Sequence, residues 1–100
     1  IEVKSVTLAE AQRGYFPDTV SQRASDHLLS LITMTEEGHR AVVLYCVFHG
    51  AVQQVSAAAH CDPDYAATSQ LAKQKGVEFY ALECALSADE IKPKGLLPVT

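Results

Sequence analysis

The chain has 100 residues, is 48% hydrophobic and 20% charged, and carries a formal net charge of −4. This length and composition are typical of one globular domain and exclude an extensively disordered chain. No apolar run reaches the roughly 18 residues of a membrane helix, and the acidic balance argues against a large phosphate-binding face on this chain alone.

Residues 1–7 predict a β-strand. Because side chains alternate across a strand, Glu2 and Lys4 project from the same face, opposite to Val3. The chain begins within this strand and without an initiator Met, so we expect it to be a fragment of a longer protein.

Residues 8–17 are predicted to be an irregular connection, since Gly14 and Pro17 interrupt any regular pattern. Asp18 follows as a candidate N-cap. Apolar residues then recur at helical spacing, which predicts a helix from about Thr19 to Glu36 that stops at Gly38.

Residues 40–48 form an apolar run of strand length, typical of a strand that is buried on both faces. Residues 49–61 are predicted to be a loop that contains His49 and His60. Asp62 and Pro63 then supply an N-cap and a proline at the first helical position, and a shorter helix is predicted to end near Lys75 before Gly76.

Residues 77–85 predict another strand, residues 91–92 a short edge strand, and residues 93–100 a tail. The order strand, helix, strand, helix, strand predicts the α/β class with a mixed, largely parallel sheet. Three strands make a thin sheet, so we expect upstream strands or a partner chain, such as the second copy of a homodimer, to cover its edge.

The three cysteines, Cys46, Cys61 and Cys84, are widely spaced and odd in number. They do not predict a disulfide framework, and we expect a cytoplasmic protein. The adjacent residues His60, Cys61 and Asp62 are of ligand type, but neighbours on an extended chain splay apart and rarely form a metal site.

Glu2 and Lys4 are the first candidate site. A carboxylate can bind Mg²⁺ or Mn²⁺ whose remaining ligands are waters and a substrate phosphate. A neighbouring lysine can orient a metal-bound water or stabilise charge on the phosphate. The alternative is a simple ion pair on a strand surface, which contributes little, and an isolated Glu-x-Lys does not distinguish the two.

Arg23 and His27 are the second candidate site. They lie four residues apart on the first predicted helix and therefore share a face. A basic pair that faces the sheet could contact phosphate. The alternative is a boundary histidine bonded to the backbone beside an arginine that extends to water. A glycine-rich phosphate loop, a nucleophile elbow, a paired-cysteine zinc signature and a helix-turn-helix pattern are absent from the sequence.

The order of these segments resembles the sugar fermentation stimulation protein A (SfsA) family over essentially the whole chain. The segments that carry the resemblance are Glu2-Val3-Lys4-Ser5-Val6-Thr7-Leu8-Ala9-Glu10, Gly14-Tyr15-Phe16-Pro17-Asp18, Arg23 with His27-Leu28, Glu37-Gly38-His39-Arg40-Ala41-Val42, Asp62-Pro63-Asp64-Tyr65-Ala66, Gly76-Val77-Glu78 and Leu97-Pro98-Val99.

The resemblance implies that residues 1–100 are the C-terminal nuclease-like domain of a bacterial protein. An N-terminal OB-like domain and the first strands of this domain would precede residue 1. It further implies a PD-(D/E)xK nuclease-like fold, in which Glu2 and Lys4 take the Glu-x-Lys roles and the first acid lies upstream. Arg23 and His27 match the basic pair of the family. Asp26 stands where family members carry a basic residue, which weakens any phosphate contact there.

The family is described as DNA-binding and linked to the regulation of sugar metabolism, especially that of maltose. The first hypothesis is therefore a DNA-binding protein with a nuclease-like domain. The second is a Mg²⁺- or Mn²⁺-dependent nuclease acting on DNA or RNA, with Glu2 as a metal ligand and Lys4 as the residue that orients water. The third is a catalytically inactive interaction scaffold.

Overall fold

The structure is a computed structural model that describes residues 1–6, 8–10, 12–48, 52–86 and 91–100. His49 and the segment 87–90 lie outside the described residues. The mixed α/β class is confirmed. Within the described ranges the elements follow in the order β1 (Glu2–Val6), β2 (Leu8–Glu10), β3 (Arg13–Phe16), α1 (Gln22–Glu36), β4 (Val42–Val47), β5 (Gln54–Ala57), α2 (Pro63–Gln74), β6 (Glu78–Leu86) and β7 (Ile91–Leu97).

The larger sheet has four strands in the order β1-β4-β6-β7. β1, β4 and β6 are parallel, as expected of strands joined by helical connections, and β7 runs antiparallel to β6. Both helices pack on one face of this sheet. The core there combines alternate residues of β4 with apolar residues of α1 and α2: Val43, Tyr45, Val47, Leu28, Leu31, Ile32, Tyr65 and Ala72.

The opposite face of this sheet carries no helix of the described chain. Along β4, fully buried residues alternate with half-buried ones, so the prediction that both faces of this strand are buried is wrong. A cavity of about 370 Å³ opens on this face, and its wall includes Val42, Leu44 and Leu82. The continuous apolar run of β4 therefore reflects one packed face and one apolar face, and the described residues leave the second face partly exposed.

The smaller sheet has three strands in the order β2-β3-β5. β2 and β3 form a short antiparallel pair, and β5 joins β3 in parallel. Segments 8–17 and 49–61 were predicted to be loops. Both predictions are wrong, because the first segment contains β2 and β3 and the second contains β5. These strands have three or four residues each, too few for an alternation of polarity to stand out.

The predicted tail at residues 93–100 is also wrong, because β7 extends to Leu97. Beyond β7 the chain continues onto the smaller sheet. The backbone N–H of Val55 donates to the carbonyl of Pro98 at 2.9 Å, and the N–H of Thr100 donates to the carbonyl of Val55 at 2.8 Å. Residues 91–100 therefore connect the two sheets.

The first helix begins later than predicted, and Asp18 is not its N-cap. Ser21 has an extended backbone (φ −135°, ψ 95°), and its hydroxyl accepts a hydrogen bond from the N–H of Ala24 at 3.1 Å. Ser21 thus satisfies an amide that the first turn of α1 leaves free. Serine and aspartate are comparable caps, so the sequence did not determine which of the two would be used.

The second helix follows its prediction closely. Asp62 is the N-cap and accepts from the N–H of Tyr65 at 3.0 Å, with Pro63 directly after it. Gly38 (φ +92°) and Gly76 (φ +101°) follow the two helices in the left-handed conformation that favours glycine. These C-terminal signals are confirmed.

Neither helix in the described part of the chain has the length and apolar content needed to cross a bilayer. Cys46, Cys61 and Cys84 are free thiols. Cys84 is buried, whereas Cys46 and Cys61 are half-buried.

Candidate phosphate and metal site on β1 and α1

The position of β1 in the sheet explains why Glu2 and Lys4 face the helices. Glu2 pairs in register with Val43, and Lys4 with Tyr45. Since Val43 and Tyr45 lie on the helix-covered face of β4, the side chains of Glu2 and Lys4 point to the same layer. The predicted shared face is therefore present, and it is the packed face rather than the open one.

The structure brings Glu2 and Lys4 together with His27 of α1. Lys4 Nζ lies 3.2 Å from Glu2 Oε1, and His27 Nδ1 lies 3.0 Å from the same oxygen. Lys4 Nζ and His27 Nδ1 are 2.9 Å apart. One carboxylate oxygen and two nitrogens thus form a compact triangle, which we call the Glu2 cluster.

The Glu2 cluster cannot use all three contacts as hydrogen bonds at once. A histidine nitrogen that carries a proton donates, and one that lacks it accepts. His27 Nδ1 therefore either accepts from the Lys4 ammonium or donates to the Glu2 carboxylate. The cluster has two hydrogen-bonding arrangements, which differ in the proton position on His27.

The Glu2 carboxylate is stabilised in its charged form. Partial burial raises its pKa, but hydrogen bonds and positive charge from Lys4, together with those from His27, outweigh that effect and hold the pKa below its ordinary value of 4.5. At neutral pH the cluster therefore presents an ionised carboxylate beside the nitrogens of Lys4 and His27.

Lys4 is the most enclosed member of the Glu2 cluster, with its side chain 15% exposed against 34% for Glu2. Its Nζ lies 6.0 Å from the ring centre of Phe16. That ring packs in turn on Tyr45 and Tyr65, at centroid distances of 5.7 and 5.3 Å. The aromatic core thus supports one side of the lysine, which limits the directions in which its ammonium can point.

Arg23 lies one turn before His27 on α1, but it is exposed. Among the described residues, no hydrogen bond or ion pair joins Arg23 to the Glu2 cluster. The sequence placed Arg23 and His27 on one helix face, and only His27 reaches the strand. Arg23 stands at the solvent side of the same face.

The described residues provide an incomplete set of metal ligands. Across the described ranges, no group of three or more His, Cys, Asp or Glu side chains is arranged to hold an ion. The Glu2 carboxylate is nevertheless a ligand of the kind that Mg²⁺, Mn²⁺ and Ca²⁺ prefer. It fits one position of a divalent-cation shell whose other oxygen ligands are not among these side chains.

His60, in the connection between β5 and α2, contacts two residues of the smaller sheet. Its Nε2 lies 2.7 Å from Glu10 Oε2, and its ring packs edge-on against Tyr15 at a centroid distance of 4.7 Å. Glu10 and His60 are fifty positions apart in the sequence, and no local pattern links them. Their contact depends on the pairing within the smaller sheet.

Comparisons with known proteins agree with the sequence resemblance. The family model described as "Sugar fermentation stimulation protein RE domain" matches residues 1–90. The "Sugar fermentation stimulation protein homolog" of Idiomarina loihiensis is 55% identical over 100 residues, which are all of this chain and 43% of that protein.

A solved structure is also similar. It is described as Pyrococcus furiosus SfsA in complex with Ca²⁺, and it superposes with a TM-score of 0.91 at 30% identity, covering 99% of this chain and 43% of that one. The chain thus spans less than half the length of the relatives it matches. The extent of the family match, together with the 55% identity, shows that the chain belongs to the sugar fermentation stimulation protein (SfsA) family.

Proposed function

We propose that this domain contacts nucleic-acid phosphate through the Glu2 cluster, as part of a DNA-binding protein linked to the regulation of sugar metabolism, including that of maltose. The observation that carries the proposal is the triangle of Glu2 Oε1, Lys4 Nζ and His27 Nδ1, with all three separations at or below 3.2 Å. An ammonium and an imidazole beside an ionised carboxylate form a mixed site that suits a phosphate accompanied by a cation.

The roles of the three side chains follow from their chemistry. Lys4 carries N–H donors and no acceptor at its ammonium group, so it can donate to a phosphate oxygen. His27 donates or accepts at Nδ1 according to its tautomer, so it can bond either to a phosphate oxygen or to a donor group of the ligand. Arg23, exposed one turn away, supports the proposal as a further cation that can reach the backbone of a bound strand.

A divalent cation fits the proposal through Glu2. The carboxylate of Glu2 would hold the ion, and an ion bound there would neutralise phosphate charge and lower the pKa of a bound water. The solved structure of the P. furiosus relative is described as containing Ca²⁺, which supports a divalent ion in this family. The remaining oxygen ligands would be waters, the phosphate and a carboxylate from outside these residues.

We propose further that the chain is the C-terminal, PD-(D/E)xK nuclease-like portion of a longer protein, preceded by an OB-like domain. The net charge of −4 supports this division of tasks, because an acidic domain needs a basic surface elsewhere to bind DNA tightly. The coverage of only 43% of the relatives leaves room for such a surface.

The test is a salt series of DNA binding by the full-length protein. Phosphate contacts release counterions, so the affinity should fall linearly on a log–log plot against salt. The Lys4→Met variant should reduce the slope by about one unit, as one phosphate contact is lost. Lys75→Met, at an exposed residue after α2, is the matched control and should leave the slope unchanged. Binding that does not depend on salt would refute the proposal.

A second candidate function is a Mg²⁺- or Mn²⁺-dependent phosphodiesterase. The contact of Lys4 with Glu2 favours it, because a lysine next to a metal-ligating carboxylate can orient the attacking water. The full-length protein should then cut DNA or RNA only with the metal, and both Glu2→Ala and Lys4→Ala should abolish cutting. Salt-dependent binding without turnover would instead favour an interaction scaffold.

A further inference from the structure

The outward face of the smaller sheet carries an ordered set of polar side chains. Glu10 of β2, Arg13 of β3 and Gln54 of β5 are register partners, so they form one row across all three strands. Tyr15 lies two residues beyond Arg13 and therefore on the same face. The other face of β3 is directed inward, because Phe16 packs against the core.

Two of these side chains are held in place by His60. Its Nε2 is 2.7 Å from Glu10 Oε2, and its ring makes a T-shaped contact with Tyr15 at an interplanar angle of 81°. Glu10 and His60 remain accessible, with side chains 56% and 46% exposed. The carboxylate and the phenol ring are thus fixed before any ligand arrives, which reduces the entropy lost on binding.

A cavity of about 350 Å³ lies on this face, lined by Glu10, Gln12, Arg13, Tyr15 and Gln54. Its volume is within the range of small-molecule sites. The wall offers one aromatic ring, one guanidinium, one carboxylate and two amides. A simple phosphate would meet the Glu10 carboxylate, and a purely apolar ligand would leave the amides and the guanidinium without partners.

We propose that this cavity holds a single unstacked nucleobase, with guanine preferred. A base offers a flat face that can stack on Tyr15 and a polar edge with donors and acceptors. Guanine presents two acceptors, O6 and N7, which suit Arg13, and N–H donors on its other edge, which suit the Glu10 carboxylate. Adenine reverses part of this pattern by placing an amino group where guanine has O6. The inference rests on the proposed function in that the base would belong to the bound nucleic acid, and it implies a single-stranded or locally opened segment.

The experiment is a titration of the full-length ¹⁵N-labelled protein with 5′-GMP and, separately, with 5′-AMP. We expect the amide signals of Arg13, Tyr15 and Gln54 to shift, and GMP to bind at least about fivefold more tightly than AMP, as expected for one good edge contact. The Glu10→Gln variant should remove the preference for GMP. Tyr15→Leu should weaken the binding of both nucleotides at least about fivefold, whereas Tyr80→Leu, the same change at an exposed tyrosine outside this cavity, should have no effect.

The outcomes separate this inference from the proposed function. Guanosine, which has the same base and no phosphate, should shift the same amide signals as GMP, and a failure to do so would mean that the phosphate of the nucleotide directs binding, which overturns the pocket. Equal affinities for GMP and AMP, or shifts confined to other residues, would also overturn it. If Tyr15→Leu does not fold, Glu10→Gln at its exposed site decides the question. If GMP binding is saturable but DNA binding does not depend on salt, the pocket is supported and the proposed function is refuted.

Discussion

The carboxylate of Asp62 joins the starts of both helices. Its Oδ2 accepts a hydrogen bond from the backbone N–H of Ser21 at 2.8 Å, while its Oδ1 accepts from the N–H of Tyr65 at 3.0 Å. Asp62 is only 2% exposed. One buried side chain therefore caps α2 and also fixes the residue that caps α1, which determines where the first turn of α1 lies.

Replacement of Asp62 should test this double role. Asp62→Asn keeps the shape but substitutes an NH₂ group for one acceptor, so one buried N–H loses its partner. We expect a loss of about 1–3 kcal/mol in the free energy of unfolding, measured by urea denaturation. Asp64→Asn, at an exposed position in the first turn of α2, is the matched control and should cost at most about 1 kcal/mol through the helix dipole. Equal losses in the two variants would contradict the double cap.

The Glu2 cluster predicts a pH dependence with a definite sign. The pKa of Glu2 in the folded protein lies below its ordinary value of 4.5, so its charge stabilises the fold above that value. The stabilisation is lost as the pH falls through the lowered folded-state pKa. Lys4→Met should raise the pKa of Glu2, because it removes the hydrogen bond and the positive charge that offset the effect of burial. A ¹³C NMR titration of the Glu2 carboxyl would measure this pKa. Lys75→Met should leave the pKa of Glu2 unchanged.

The buried tyrosine pair predicts both a titration and a stability effect. The hydroxyls of Tyr45 and Tyr65 hydrogen-bond to each other in the core. Burial raises the pKa of Tyr65 to about 12 and that of Tyr45 further still. In an ultraviolet titration these two of the four tyrosines should ionise only at higher pH than ordinary phenols, or on unfolding.

Removal of one hydroxyl should leave the other buried without its partner. Tyr45→Phe is therefore expected to lower the free energy of unfolding by about 1–3 kcal/mol. The double variant Tyr45→Phe/Tyr65→Phe should cost less than the sum of the two single changes, because the pair acts together. Tyr80→Phe, at a surface position, should change stability by no more than about 0.5 kcal/mol. Strict additivity in the double variant would argue against the pair.

The two glycines after the helices provide a matched comparison. Gly38 and Gly76 both have positive φ, but a Cβ at Gly38 would meet nothing within 4 Å, whereas one at Gly76 would lie 3.2 Å from Thr35 Cγ2. Alanine at either position should cost about 1–2 kcal/mol through backbone strain. Thermal denaturation should show a larger loss for Gly76→Ala than for Gly38→Ala. The reverse order would mean that the helix packing at Thr35 adjusts freely.

The features that the sequence predicted well are those with local causes. Asp62 with Pro63 marks the start of α2, and Gly38 and Gly76 mark the ends of both helices, because each signal acts within a few residues. The face shared by Glu2 and Lys4 follows from the two-residue period of a strand. The start of α1 was misplaced because Asp18 and Ser21 are both acceptable caps.

The features that the sequence did not predict depend on distant contacts. Strand β5 pairs with the distant β3, Gln54 with Arg13, whereas β2 and β3 pair locally but are too short for a residue pattern to reveal them. His27 was expected to face the sheet, and it meets Lys4 across 23 positions, whereas Arg23, expected beside it, is exposed. The contact of His60 with Glu10 likewise requires the smaller sheet to exist, so composition alone gave no sign of it.

The link that residues 91–100 make between the two sheets has a mechanical consequence. β7 lies along the edge of the larger sheet, while Pro98 and Thr100 are hydrogen-bonded to Val55 of the smaller one. A pulling force applied at Thr100 would reach the bonds to Val55 first, and the long β6–β7 ladder only after they had ruptured. Under tension the segment should therefore detach in two steps. The hydrogen bonds to β5 break first, at low force, and the β6–β7 ladder breaks second, at higher force.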